Sequence, residues 1–476
     1  MTMKTNKPTG KWAAIKDQSF HEAYGLIKAG DMDKAFTIIN NRLKEDPFSI
    51  AWTDLMVQGQ YVMGGLLSFA KEMQRRGRAE NNLSYLFRAV LTYNNIGQTK
   101  RSIDLLREII AADPGIYSVW NITASTHLIR GQKEQALEAL EKAEALEPEN
   151  PDTFWLRGLV YLAMGDVENS RQQISKSLDI DPDNVDALWS MGLILLKEEE
   201  FDKALEMAEK AISTDPDTSM AWYVKGVALY RKGDAQASEI SFLKAVEIDE
   251  KCSDAHYYLS ALYLELRRFE EAINFAEKAV KYNPSYSDAH FMYGLALIEY
   301  KQFNDAINQL LKAISLDDTK AEYYHYLGEA YMALTLTGKA EQAFLKSLGL
   351  SEDFAATHFS LSFVYRLKAK MNQAVSEVKK ALELQPDNPL YNRALGVLLF
   401  DSGHYNAAKP HFDKALELEP NNAETHFNLG EYYLITGDRE KAQEAYKKAL
   451  EFNPGDQEAM LRLERIKEFS AEKAEE

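Results

Sequence analysis

The stretch Ala423–Pro454, AETHFNLGEYYLITGDREKAQEAYKKALEFNP, decides the fold. It holds two helical patterns separated by Gly437-Asp438. Small residues fall at Gly430, Ala442 and Ala449, where two helices can approach closely, and large ones at Leu429, Tyr433 and Tyr446, where they can fill the space between. Gly437 suits a helix C-terminus, because a residue without a Cβ enters the left-handed region cheaply. Asp438 can cap the next helix by accepting from its free N–H groups. Pro454 lacks an N–H and biases Asn453 away from helical geometry, so the second helix is expected to stop there.

Stepping back 34 residues at a time returns the same pattern. The Gly430 column reads Gly396, Ser362, Gly328, Gly294, Ser260, Gly226, Gly192, Gly158 and Ala124, and the Ala442 and Ala449 columns stay small over a similar span. A fixed period carrying a helix–turn–helix unit is the signature of a stacked solenoid. Trp52, Trp120 and Trp222 recur near the start of the unit, and Pro114, Pro148, Pro182, Pro216, Pro284, Pro386, Pro420 and Pro454 at its end. With these residues the chain resembles the tetratricopeptide repeat family over about residues 16–469. The resemblance implies an all-α, right-handed superhelical solenoid of about 13 stacked units with a C-terminal capping helix, and a binding architecture whose partners vary widely.

The formal net charge is −18, from 55 basic and 73 acidic side chains. This argues against a nucleic-acid partner, whose binding rests on neutralising phosphates. Cys252 is the only cysteine, so no intramolecular disulfide can form and a reducing compartment is expected. No apolar run approaches the roughly 20 residues that span a bilayer, and MTMKTNKPTGKW has no signal-peptide core. A cytoplasmic location is expected.

Residues 1–15 carry Lys4, Lys7 and Lys11 with no acidic residue and are expected to be a basic flexible extension. Residues 16–82 form two divergent repeats. In the second of them Met56 stands at the small position, Gly64-Gly65 precede the second helix and Arg75, Arg76 and Arg78 cluster at its end. This divergence suits a terminal repeat with one bare face, or a contact of its own. Residues 83–456 hold eleven regular repeats. The turn ALTLTGK replaces the usual Gly-Asp in the unit 321–354, and the stretch 318–352 is the expected soft joint. Pro410 is expected to kink a second helix. Residues 457–476 comprise a capping helix, QEAMLRLERIKEF, and the polar tail SAEKAEE.

No phosphate loop, HExxH, CxxC or GxSxG occurs, so no enzyme activity and no cofactor are expected. His256, His290, His358 and His426 occupy the tryptophan column. Zinc ligands must converge within about 2.0–2.3 Å of one ion, whereas equivalent residues of successive repeats stand about 8–10 Å apart. These histidines are expected to pack or face solvent rather than bind metal.

In the family, the first helix of each unit lines the concave side. One such column here reads Trp155, Trp189, Tyr223, Tyr257, Phe291, His325, Phe359, Arg393, Phe427, and four residues on it reads Leu159, Leu193, Val227, Ala261, Leu295, Glu329, Phe363, Val397, Glu431. A third column, seven on, includes Tyr230, Arg366 and Phe400. Spacings of four and seven put all three on one helical stripe. A clamp for a chaperone's C-terminal carboxylate is set aside, since Asn428 lacks the accompanying lysines. The expected binding residues are Trp155, Leu159, Trp189, Leu193, Tyr223, Val227, Tyr230, Tyr257, Phe291, Leu295, Phe359, Phe363 and Phe427. The expected role is a protein-interaction scaffold, adaptor or assembly chaperone, gripping a polypeptide with an apolar face. Two alternatives remain: a stack that buries its own stripe, and a structural subunit that self-associates through its end repeats.

Overall fold

The computed structural model describes residues 17–475, with side chains to residue 466. The extension expected over 1–15 lies outside the described residues. Among the described residues all regular structure is α-helical, 27 helices from Gln18–Ala29 to Gln457–Glu475, and within each unit successive helices pack as pairs, such as Ala423–Ile435 on Arg439–Phe452. The chain divides into two compact units, Met1–Leu262 and Tyr263–Glu476.

The quoted stretch folds as helices Ala423–Ile435 and Arg439–Phe452. The small columns are explained by direct contact. A Cβ on Gly430 would lie 2.5 Å from the ring of Tyr446, and one on Gly328 only 2.4 Å from Phe344. In the first unit, Gly158 faces Ile174 and Gly226 faces Phe242 in the same way. Each large second-helix residue therefore fills the space its glycine leaves. The alanine columns are fully buried beside it, as at Ala340, Ala408 and Ala442.

The divergent second repeat lacks this contact. Met56 is buried where a small residue was expected, and the close approach of its helix is instead to the preceding repeat, at Gly59, whose Cβ would meet the Phe36 ring at 2.8 Å. Gly64 forms the left-handed turn before helix Leu66–Ala79. Phe20 packs edge-on against Trp52 at 4.8 Å, which ties the first repeat to the second.

The turn geometry is more uniform than the turn sequence. At Gly437 (φ 88°) the N–H of Asp438 reaches Tyr433 O at 2.9 Å, and Asp438 Oδ1 accepts from the Lys441 N–H. Thr335, in the ALTLTGK turn, adopts the same left-handed conformation (φ 58°), and the Leu336 N–H reaches Tyr331 O at 2.9 Å. The stack sets the turn, and this sequence accommodates it at a cost. Left-handed geometry costs a non-glycine roughly 1–2 kcal/mol, and Leu336 supplies no side-chain cap. Converting Thr335-Leu336 to Gly-Asp is accordingly expected to raise stability by about 1–2 kcal/mol, read as a higher urea midpoint; an unchanged midpoint would contradict it.

Helix Tyr405–Leu418 continues through Pro410. The last helix, Gln457–Glu475, runs on through the stretch expected as a tail from Ser470. That stretch has no glycine or proline, and its alanine, glutamate and lysine favour helix. Ala459 and Ile466 bury against Tyr446 and Ala449. Glu431 accepts both the Tyr446 hydroxyl (2.5 Å) and Arg462 Nε (2.8 Å), which joins this helix to the last pair.

Candidate functional site

In the first unit the predicted stripe is half-buried; Trp155, Tyr223 and Tyr230 pack forward onto the next first helix, whereas Trp189 and Tyr257 make contacts within their own helices. Trp155 donates its indole N–H to Ser190 Oγ at 3.0 Å, and Trp189 to Asp186 Oδ1 at 2.9 Å. Tyr223 and Tyr230 both lean on Tyr258, with ring centres 5.9 and 5.8 Å away, and Tyr257 meets the same ring edge-on at 5.2 Å. Leu159 and Leu193 are half-buried. Val227 departs from expectation: at 4% exposure it belongs to the core and offers no surface.

In the second unit Phe291 stacks on Tyr323 (4.7 Å), Phe359 packs on Tyr391 (4.8 Å) and Phe427 on Tyr446 (5.7 Å), while Leu295 is half-buried. Phe363, at 40% exposure, is the most open of the predicted residues. Here the stripe is not purely apolar. Phe359, Phe363 and Val397 line a small cavity of about 80 Å³ together with Arg366 and Arg393. Arg366 pairs with Asp401 (2.8 Å), and Arg393 with Glu424 (3.1 Å) and Asn422 Oδ1 (3.1 Å). Burial pushes the Glu329 carboxyl up.

The histidines of the tryptophan column have a role the sequence did not disclose. Trp120 and Trp222 donate their ring N–H to the backbone carbonyls of Pro114 and Pro216, six residues earlier. His256, His290, His358 and His426 place Nε2 2.8–3.1 Å from the carbonyls of Glu250, Pro284, Glu352 and Pro420, again six residues earlier. Asn392 Nδ2 does the same to Pro386. Where the column carries a side-chain N–H of this reach, that N–H latches the repeat to the end of the one before; Leu86, Phe154, Leu188 and Tyr324 stand in the same column without one. The signal was present in the residue types, since Trp, His and Asn share an N–H at suitable reach. Two of these rings extend the latch: His290 Nδ1 lies 2.8 Å from Gln309 Oε1, and His358 Nδ1 2.5 Å from Glu377 Oε2. Neighbouring His325 is buried against Thr357 Oγ1 (3.0 Å), and burial pushes its pKa down to about 4. Among the described residues no three His, Cys, Asp or Glu side chains come together as a metal site requires, and no helix is long and apolar enough to cross a membrane.

Among curated proteins, none is significantly similar to this chain. Similar solved structures include the APC/C hetero-tetramer Cut9–Hcn1 (16% identity, TM-score 0.48, covering 89% of this chain and 98% of that one). Pseudomonas aeruginosa pilF is 23% identical with a TM-score of 0.41, covering 47% of this chain and 98% of its own. MamA is 25% identical with a TM-score of 0.32, covering 34% and 95%. Family profiles described as tetratricopeptide repeat match residues 151–184, 190–255, 263–330, 321–354, 355–388 and 399–465, and one described as TPR repeat matches 125–165. With its 34-residue columns filled by stacked helix pairs, the chain belongs to the tetratricopeptide repeat family.

Proposed function

We propose that the protein is a non-enzymatic interaction scaffold, an adaptor or assembly chaperone, that holds a polypeptide segment by its apolar face. Membership of a family built for protein–protein contact supports the general role. One observation carries the finer reading. In the first unit the rings of Trp155, Trp189, Tyr223 and Tyr257 are half-buried and keep some exposed surface after making their own packing contacts. Aromatic surface of this kind, repeated on successive helices, suits an amphipathic or extended segment. Phe291, Leu295, Phe359, Phe363 and Phe427 offer a second such surface in Tyr263–Glu476.

The test begins with partners captured from the native cell by the tagged chain and identified by mass spectrometry. Each is then titrated against Trp189→Ser combined with Tyr257→Ser. The expected result is binding weakened about tenfold or more, with helicity and melting near the parent's. A matched control, Glu209→Ala with Lys244→Ala, should bind as the parent does. Lost stability with unchanged binding by the folded fraction would assign the stripe to internal packing.

Self-association through the end repeats is a second reading. It is favoured by the exposed turn holding Tyr61, Val62 and Met63, at 67%, 49% and 58% exposure. Sedimentation across a concentration range distinguishes the two, since a constant monomer mass counts against assembly.

A further inference from the structure

The arginine cluster noted in the second repeat belongs to a larger basic segment. Between residues 66 and 107 eight lysines and arginines face three acidic residues, within a chain whose net charge is −18. Half of these cations are committed locally. Arg75 pairs with Glu72 (2.7 Å), Arg76 with Glu80 (3.0 Å), and Arg78 with Glu108 (2.8 Å). Arg88, Lys100, Lys71 and Arg101 make no such pair among the described residues; Arg88 is buried and Lys100 stands outside the cleft, which leaves Lys71 and Arg101. Both line one open cavity of about 390 Å³, formed by Lys71, Gln74 and Arg78 of helix Leu66–Ala79 with Tyr93, Arg101 and Asp104 of the following pair. The Arg101 guanidinium lies 5.6 Å over the ring of buried Tyr93. Tyr93 donates its hydroxyl to Gln74 Oε1 at 2.9 Å, which leaves the Gln74 amide nitrogen free to donate into the cleft. Asp104, the one carboxylate of the lining, is 3.9 Å from Arg107.

We propose that this cleft, on second helices and apart from the aromatic stripe, docks a short acidic peptide segment of a partner protein. The cations are spread rather than convergent. Lys71 and Arg78 stand two helical turns apart, about 10 Å at the helical rise. An extended chain covers that distance in about three residues, so carboxylates three apart can meet both. Arg78 is free to exchange partners because its pair with Glu108 is solvent-exposed and such pairs are weak. Gln74 supplies an amide donor for the peptide backbone between them. Two cleft cations suit a few carboxylates; a nucleic acid carries a charge about every 1.7 Å of its axis and needs many more neutralising groups than a chain of net charge −18 offers.

The probe is a fluorescein-labelled ten-residue peptide with glutamate at every third position, titrated by anisotropy against the full-length protein. Binding should weaken with added salt. Lys71→Ala with Arg101→Ala should weaken it about tenfold. Lys100→Ala with Arg75→Ala removes the same charge from the same segment outside the cleft and should cost about twofold at most. Both variants change exposed side chains, and far-UV dichroism checks that they fold. Equal losses in the two variants, or no binding by the parent, overturn the proposal. So does an oligonucleotide of equal charge that binds more tightly than the peptide and loses that advantage in the cleft variant.

Discussion

Replacing Phe344 with alanine is expected to lower stability by about 3–5 kcal/mol. The ring is fully buried among Ala340, Leu361, Val364 and Val378, and it occupies the space left by Gly328. Removing it forfeits the transfer of the ring and leaves a hole that stacked helices cannot readily close. The glycine is the other half of the contact. Gly328→Ala drives a methyl against the ring and should cost about 1–3 kcal/mol. In a Phe344→Leu background the same alanine should cost less, because the smaller side chain yields the space. The coupling between the two sites is expected to reach at least about 0.5 kcal/mol, measured by urea unfolding followed by far-UV dichroism. Strict additivity would show that the ring and the glycine do not share this gap.

The second large effect concerns Glu377. Its carboxylate, 12% exposed, receives His358 Nδ1 at 2.5 Å and Lys380 Nζ at 3.0 Å. The His358 ring is also latched through Nε2 to Glu352 O, so both ring nitrogens face acceptors. Burial alone would raise the Glu377 carboxyl, but the bonds from His358 and Lys380 outweigh it and hold the pKa below the ordinary 4.5. Glu377→Ala is expected to cost about 2–3 kcal/mol at pH 7. The sign of the pH dependence follows from the lowered value. The stabilisation is present in full above the ordinary carboxylate range and is lost as the pH falls through the depressed pKa. His325 adds a loss of its own between about 6.5 and 4, because its neutral form is the one the fold buries. The Glu377 share is therefore read as the difference between parent and Glu377→Gln as the pH is lowered from 6 to 3. If both lose stability in parallel over that range, the pair does not stabilise the fold.

Much of the fold was legible because the repeat writes size into fixed columns. Gly430 and its equivalents must be small whatever the surface carries, so the helix pairs could be read from spacing alone. The Met56 position was misleading because the close approach of that helix is made at Gly59, one turn along, and to the preceding repeat. The turn at Thr335 was misleading for a different reason: neighbouring repeats impose the left-handed geometry even on a β-branched residue.

The candidate site was less legible. A period says that Tyr223 and Phe291 are equivalent to Trp155. It does not say how much of each ring the next repeat covers, because that depends on the packing between repeats. Val227 lost its surface this way. The histidine latches were hidden because their acceptor is a backbone carbonyl, which carries no sequence signal. The basic cleft was hidden because Lys71 and Arg101 lie 30 residues apart, while the conspicuous run at Arg75, Arg76 and Arg78 turns its three side chains to three different carboxylates.

The exchange of tryptophan for histidine down the latch column also divides the molecule optically. All six tryptophans fall within Met1–Leu262, so Tyr263–Glu476 is dark when indole alone is excited. Intrinsic emission is thus a private signal of the first unit, and far-UV dichroism sums over both. His290 marks where a lamp could be installed in the second. An indole there presents the same kind of N–H to the same kind of proline carbonyl that Trp120 and Trp222 already reach, so His290→Trp, in a chain whose other tryptophans are replaced by phenylalanine, would light that unit alone while keeping the bond to Pro284 and losing the one to Gln309.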